Sequence, residues 1–218
     1  MVRLAGRLSS YRALLRGTSD WEPVLLANSG LPGPRANLEL ARVAADEAPD
    51  AQLRQWAASD EEYLALVGTM GLRDLEALRV QANDPRWRVR EGVAMALQRL
   101  GWDAVLPTMR AWASGSLLER RAVVGGLCEP ALLLDTERVV VVLELLDEIT
   151  ESLVREENRR SDEFKALRKA LGYGWSVAVA AAPSEGRRVM SRWFDSSDRD
   201  VAWVMRENLK KKRIAGVF

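Results

Sequence analysis

The stretch DPRWRVREGVAMALQRLG, residues 84–101, decides the fold of this chain. Apolar residues recur in it every three or four positions, which places them on one face of an α-helix. Those residues are Val89, Val93, Ala96, Leu97 and Leu100. Asp84-Pro85 precedes the stripe as a typical helix start, and Gly101 follows it as a typical helix end. The stretch therefore predicts one amphipathic helix that buries an apolar stripe.

Helical segments of similar length, separated by short turns, continue on both sides of this stretch. No segment alternates apolar and polar residues in the way that predicts a β-strand. The chain is therefore predicted to be all-α, an N-terminal helix followed by about six antiparallel helix pairs. Repeated short helix pairs form an α-solenoid, a superhelix in which each pair packs against the next. We expect one HEAT-like repeat domain over residues 1–218, with second helices beginning near residues 34, 60, 85, 116, 162 and 198.

Three local patterns give sharper expectations about where helices begin and end. Ser59 and Glu62 have the spacing of a capping box, in which each side chain bonds the backbone N–H of the other residue. Pro34 suits the first turn of a helix over residues 35–47. The glycines of residues 172–174 (GYG) are expected to interrupt a helix, because glycine is a poor helix former.

The chain has no histidine and a single cysteine, Cys128. Without histidine, no Ser-His-Asp or Cys-His catalytic set and no imidazole metal ligand can form. One cysteine permits neither an internal disulfide nor a thiolate zinc cluster, and Cys128 is expected to be a buried apolar side chain. The glycine motifs of nucleotide-binding loops are also absent from the sequence. We therefore expect no metal and no cofactor.

The sequence carries no signal for insertion into a membrane. No apolar run approaches the roughly 18 residues that a membrane-spanning helix needs, and no continuous apolar segment follows the first arginines as in a secretory signal. We therefore expect a cytoplasmic protein without membrane contact. Arginine outnumbers lysine 27 to 5, a bias that fits a GC-rich bacterial genome.

Charge is unevenly spread along a chain whose formal net charge is +1. Residues 1–150 hold 17 basic and 21 acidic residues, whereas residues 151–218 hold 15 basic and 10 acidic ones. The C-terminal third can therefore present guanidinium groups to phosphate, with Trp193 and Trp203 placed to stack on bases. The alternative is a mixed-charge surface with both tryptophans in the core. The candidate anion-binding residues are Arg120, Arg121, Arg187, Arg188, Arg192, Arg199 and Arg206.

Two further patterns are interpreted as structural. The eight tryptophans are spread over nearly every predicted helix pair, which indicates that most of them pack in the core and between repeats. Arg90 is expected to pair with Asp84 in the preceding turn, with phosphate contact as the alternative. Arg88 is expected to be an ordinary solvated charge.

The opening stretch resembles the second helix of a HEAT repeat, with Asp84 in the inter-helix turn and Val89-Arg90 one turn later. Residues 198–209 (DRDVAWVMRENL) repeat this theme. Six such pairs behind an N-terminal helix also look like the HEAT-like DNA-alkylation-repair glycosylase superfamily. That resemblance implies excision of alkylated, cationic bases from DNA by an Asp and flanking Trp residues, without histidine or metal.

The catalytic sequence of that superfamily, an aromatic pair followed by Asp-x-x-Asp, is only partly present. In residues 101–107 (GWDAVLP), Trp102-Asp103 is followed by Leu106 at the position of the second Asp. We therefore expect a non-catalytic HEAT-like scaffold that binds protein or a DNA backbone on a concave face. The alternative is a DNA glycosylase in which Asp103 acts beside Trp102 and Trp112.

Overall fold

The computed structural model describes residues 2–218, with side chains from residue 6 onward. Every regular element in that range is helical, and no strand occurs in it, so the all-α prediction is confirmed. Short 3-10 turns cover Ser191–Trp193 and Lys212–Ile214. The α-helices are α1 (Val2–Arg16), α2 (Glu22–Ala27), α3 (Leu38–Glu47), α4 (Asp50–Ala57), α5 (Glu62–Gly71), α6 (Leu75–Ala82), α7 (Trp87–Leu100), α8 (Trp102–Trp112), α9 (Leu117–Leu127), α10 (Thr136–Val154), α11 (Asp162–Ala181), α12 (Pro183–Met190) and α13 (Arg199–Leu209).

The helices form two compact units, unit 1 (Met1–Ala96) and unit 2 (Leu97–Phe218). Each unit has its own set of fully buried large side chains, such as Trp56 in unit 1 and Trp175 in unit 2. The assignment of the whole chain to one repeat domain stays a prediction.

Unit 1 is built around α5, which is buried from Tyr63 to Gly71. It packs against α3 and α4, and Gly68 allows the backbones of α4 and α5 to approach closely. A Cβ atom at position 68 would lie 2.6 Å from the carbonyl oxygen of Leu53 and would also meet the backbone nitrogen of Ala57. The missing side chain is therefore what permits this crossing of two helices.

Unit 2 is built around α11, which packs against α9, α10 and α13. A Cβ at Gly172 would lie 3.0 Å from the ring of Trp203 on α13, and a Cβ at Gly174 would lie 2.6 Å from Val124 on α9. Two residues apart on a helix means about 200° of rotation, so the two glycines face different neighbours. The predicted interruption at residues 172–174 is wrong, because close packing on both neighbours outweighs the poor helix propensity of glycine.

Asn208 ties α13 to α11 through a fully buried amide. Its side-chain Nδ2 donates to the carbonyl oxygens of Leu171 and Val204, each at 2.8 Å, and its Oδ1 accepts from the backbone N–H of Ser176 at 2.8 Å. Both N–H donors and the oxygen of the amide are thus hydrogen-bonded, so burying this polar group costs little free energy.

Two predicted helix starts are wrong for local reasons. The helix assigned to residues 35–47 begins only at Leu38, because Asn37 is its N-cap and the Asn37 Oδ1 accepts from the N–H of Leu40. Pro34 therefore precedes the helix instead of lying in its first turn. Ser59 Oγ accepts from the N–H of Glu61 instead of forming a capping box with Glu62. A capping box does occur in unit 2, between Ser116 and Glu119 at the start of α9.

Candidate nucleic-acid interface

The seven predicted anion-binding arginines lie on several helices of unit 2. None of them lines the cleft that unit 2 forms between α11 and α13. Arg187, Arg188 and Arg206 are exposed. The other four are partly engaged with neighbours. Arg120 donates to Ser152 Oγ at 3.1 Å, Arg121 is half-buried, Arg192 pairs with Asp147 at 2.8 Å, and Arg199 lies 3.7 Å from Asp200.

The alternative catalytic trio is split between surface and core. Asp103 is exposed in the first turn of α8. The side chains of Trp102 and Trp112 are buried in unit 2, with only 8% and 2% of their surface exposed. A ligand that reaches Asp103 therefore does not reach the face of either indole ring in this structure.

The arginines at the start of α7 form ion pairs and hydrogen bonds within unit 1. The carboxylate of Asp84 is bound by Arg86 at 2.8 Å, whereas Arg90 donates to the backbone carbonyl of Asp84 at 2.6 Å. Arg90 thus contacts Asp84 through its backbone carbonyl and interacts electrostatically with its carboxylate, which Arg86 binds directly. Arg88 is not a solvated charge, since it pairs with Glu62 at 2.8 Å.

The basic cleft of unit 2 lies between α11, α13 and the segment that follows α13. Its volume is about 480 Å³. Four cationic side chains and two aromatic rings line it, against one carboxylate. The lining residues are Lys165, Arg168, Lys169, Gly172, Tyr173, Trp203, Glu207 and Lys211.

The spacing of residues on α11 explains how one face of a helix supplies most of this cleft. Lys165, Lys169 and Tyr173 are four residues apart, so they lie above one another along the helix. Successive members rise by about 6 Å. Gly172, with no side chain of its own, leaves room for the ring of Trp203 beside this row.

Each of the two aromatic rings of the basic cleft makes a cation–π contact with an arginine. The guanidinium of Arg168 lies 4.5 Å from the centre of the Trp203 ring. The guanidinium of Arg213 lies 4.5 Å from the centre of the Tyr173 ring and also donates to its hydroxyl oxygen at 3.0 Å. The Lys211 ammonium lies 6.0 Å from the same ring centre. These contacts fix the rings and concentrate positive charge around them.

The charges of the basic cleft differ in how far they are already neutralised. Lys165 pairs with Asp162 at 2.9 Å and Arg168 with Asp200 at 2.5 Å. In the described part of the chain, Lys169 forms no ion pair or hydrogen bond. Lys211 lies near the Tyr173 ring and interacts electrostatically with Glu207, without a direct ion pair. These two ammonium groups are therefore the ones most available to an anionic ligand.

A buried carboxylate behind the cleft holds Arg168 in place. Asp200 is only 3% exposed and accepts from Arg168 and, at 3.2 Å, from Arg159. Arg159 also pairs with Asp198, the N-cap of α13, at 2.6 Å, and it donates to the carbonyl oxygen of Val154 at the end of α10. This network joins α10, α11 and α13.

The network predicts a loss of stability in acid. Burial raises the pKa of Asp198, but N–H donors of α13 and the Arg159 guanidinium outweigh burial and lower the pKa overall. An aspartate with a lowered folded-state pKa stabilises fully above its unfolded pKa of about 3.9, and this contribution is lost as the pH falls further. Asp198→Asn keeps a good N-cap but cannot titrate. Its urea midpoint should therefore fall less steeply than that of the wild type below about pH 4.

The exposed Asp195 offers a matched control for this pH series. Asp195→Asn should keep the wild-type steepness, since no described contact involves its carboxylate. Equal steepness in Asp198→Asn and the wild type would contradict the role given to Asp198.

A second, larger cleft of about 680 Å³ lies in unit 1 beside Trp87. Trp87 is 53% exposed, so the expectation that tryptophans pack in the core is wrong at this position. Three arginines and two glutamates line this cleft, and two of the arginines are paired, Arg7 with Glu39 at 3.2 Å and Arg88 with Glu62. Its excess of positive charge is therefore smaller than that of the basic cleft, where four cationic side chains face one carboxylate.

Sequence reasoning missed the residues that line the basic cleft on α11. The available signal was the Lys-x-x-x-Lys-x-x-x-Tyr spacing of residues 165–173, which places two cations and a ring on one helix face. Of the two tryptophans proposed for stacking, Trp203 lines this cleft, whereas Trp193 is buried and donates its indole N–H to Asp147 at 2.8 Å.

Within the described residues, none of the helices is long and apolar enough to cross a bilayer. The same residues contain no cluster of three or more Asp, Glu or Cys side chains arranged to hold a metal ion. Burial raises the pKa of the Cys128 thiol to about 12, as suits a buried apolar side chain. Comparison with protein-family models, curated proteins and solved structures found no match to this chain.

Proposed function

We propose that this protein is a non-catalytic, HEAT-like helical scaffold that binds nucleic acid through the basic cleft of unit 2. The observation that carries the proposal is the meeting of four cationic side chains and two aromatic rings in one cleft. Cationic side chains bind the phosphate backbone, and aromatic rings stack on bases. A cytoplasmic location is part of the same proposal.

Helix packing within each unit supports the repeat part of the proposal. In unit 1, α5 packs against α3, and Gly92 of α7 lies against Leu66 and Thr69 of α5. In unit 2, α11 packs against α9 and α13. The helices predicted as second members of the pairs thus pack against one another in chain order within each unit, as neighbouring repeats of a solenoid do.

Nucleic acid is favoured over a protein partner by the nature of the cleft. An acidic protein surface could pair with the lysines, but it would give no role to two aromatic rings that each have a guanidinium beside them. Bases offer a flat π-face beside every phosphate, so rings and cations are used together. Binding of an acidic protein with no binding of nucleic acid would contradict the proposal.

Binding measured across a range of salt concentrations tests the proposal. Each phosphate contact contributes roughly 0.7 to 0.9 to the slope of log affinity against log salt. The double variant Lys169→Gln/Lys211→Gln removes both available ammonium groups. It should therefore reduce the magnitude of this slope for a 20-nucleotide oligonucleotide by about 1.4 to 1.8. Fluorescence anisotropy of a labelled oligonucleotide measures the slope.

The control for this experiment neutralises the same number of charges outside the cleft. Arg187 and Arg188 are exposed on α12 and were candidates from sequence alone. Arg187→Gln/Arg188→Gln should leave the slope close to the wild-type value. An equal drop in both double variants would show diffuse attraction to a basic surface and would contradict a role for the cleft.

The DNA-glycosylase alternative rests on the resemblance alone. It is tested by incubating alkylated duplex DNA with the wild type and with Asp103→Asn and measuring the release of free bases. A non-catalytic scaffold releases none in either case. Release by the wild type that Asp103→Asn abolishes would overturn the scaffold proposal.

A further inference from the structure

We infer that the basic cleft binds single-stranded nucleic acid, with one unpaired base stacked on the ring of Tyr173 and phosphates held by Lys169 and Lys211. This inference rests on the proposed function and names its ligand class. It is carried by the exposure and fixed orientation of Tyr173 within a cleft of small-ligand size.

Tyr173 is placed to present its ring to a ligand. Gly172 and Gly174, on either side of it, are the residues through which α11 contacts α13 and α9. Tyr173 itself is left 49% exposed. Arg213 holds the hydroxyl at 3.0 Å, which limits rotation of the ring before a ligand arrives. A ring that is already ordered loses little conformational entropy on binding.

The other ring of the cleft is less available. Each ring has one guanidinium 4.5 Å from its centre, so the two rings differ in exposure rather than in cation contact. Trp203 is half-buried, with Gly172 against its edge, whereas Tyr173 is 49% exposed. Trp203 therefore forms a wall of the cleft, and a base stacks on the exposed part of the Tyr173 ring.

Stacking on Tyr173 requires an unpaired base. In a duplex both faces of each base are covered by neighbouring base pairs, so an external ring cannot lie against them. The cleft volume of about 480 Å³ falls in the range of small-ligand pockets, which suits a single nucleotide unit rather than a double helix.

The two available ammonium groups adjoin the stacking position. Lys169 lies one turn before Tyr173 on the same face of α11, at a rise of about 6 Å. Lys211 lies 6.0 Å from the centre of the Tyr173 ring. A strand whose base covers the ring therefore has its phosphates within reach of both lysines.

The test compares the affinities of a labelled 12-nucleotide single strand and of a duplex of the same sequence for the wild type and for Tyr173→Ala. We expect the wild type to bind the single strand roughly tenfold more tightly than the duplex, and Tyr173→Ala to lose roughly tenfold for the single strand only. The salt slope should not change, because no phosphate contact is removed. Tyr173→Phe keeps the ring and should bind within about twofold of the wild type.

The possible failures separate the two proposals. Salt-dependent binding with no preference for the single strand, or an equal loss for both ligands in Tyr173→Ala, would overturn this inference and leave the proposed function standing. Absence of binding to either ligand at low salt would overturn the proposed function itself. Circular dichroism of each variant establishes that it is folded, and Tyr173→Leu replaces Tyr173→Ala if the smaller side chain unfolds the protein.

Discussion

The Gly68→Ala variant is expected to lose roughly 3 kcal/mol of unfolding free energy. The added methyl group would meet the backbone of α4 at Leu53 and Ala57, with 2.6 Å between the new Cβ and the Leu53 carbonyl oxygen. Backbone atoms cannot turn aside as a flexible side chain can, so α4 and α5 must move apart. That movement opens the buried core on which unit 1 depends.

Intrinsic helix propensity acts in the opposite direction in this variant. Alanine is favoured over glycine in a helix by about 1 kcal/mol, so the observed loss is what remains after that gain. Gly6→Ala is the matched control, since a Cβ at position 6 of α1 would meet no atom within 4 Å. Urea unfolding followed by far-UV circular dichroism should show Gly6→Ala at or above wild-type stability. A Gly68→Ala variant as stable as Gly6→Ala would contradict the close crossing of α4 and α5.

The second large effect is expected in unit 2, where Asp200→Ala should destabilise by about 3 kcal/mol. Removing this carboxylate leaves Arg168 without its ion-pair partner and leaves Arg159 with only Asp198. The cost of breaking a buried pair comes mainly from the charge that remains without compensation. The link from Asp200 to α11 would be lost, while Arg159 would still join the end of α10 to Asp198 at the start of α13.

An exposed aspartate provides the comparison for Asp200→Ala. Asp195 lies in the turn before α13, and Asp195→Ala should change stability by less than about 0.5 kcal/mol. Urea unfolding of both variants measures the difference. Equal stability of the two would mean that the network of Asp200 is an ordinary surface ion pair of small value.

The helices were largely predictable because their signals are local. Asp74, Asp135, Ser161 and Asp198 cap helices through side-chain hydrogen bonds, and such residues mark helix starts in a sequence. Gly172 and Gly174 led to the wrong prediction of a helix interruption. Glycine is favoured at these positions because α9 and α13 approach α11 closely there, and both helices are distant in the sequence. Long-range packing of this kind leaves no local signal.

The candidate site was predictable only in its region and its chemistry. The basic excess of residues 151–218 pointed to the third of the chain that holds the basic cleft, and Trp203 lines that cleft. The seven arginines are predicted because guanidinium groups bind phosphate, yet two of them are engaged with carboxylates, Arg192 with Asp147 and Arg199 with Asp200. The available charges are two of the few lysines, because the basic residues that form internal ion pairs here are mostly arginines, as their forked geometry favours.

Acetylation of the lysines with and without bound oligonucleotide shows where on the protein the nucleic acid lies. The chain has only five lysines, so mass spectrometry can follow each of them; they are Lys165, Lys169, Lys210, Lys211 and Lys212. With bound oligonucleotide, Lys169 and Lys211 should be modified several-fold more slowly, while the exposed Lys212, which does not line the cleft, keeps its rate. Binding of the oligonucleotide with equal protection of all five lysines, or with none, would contradict a nucleic-acid site in the basic cleft.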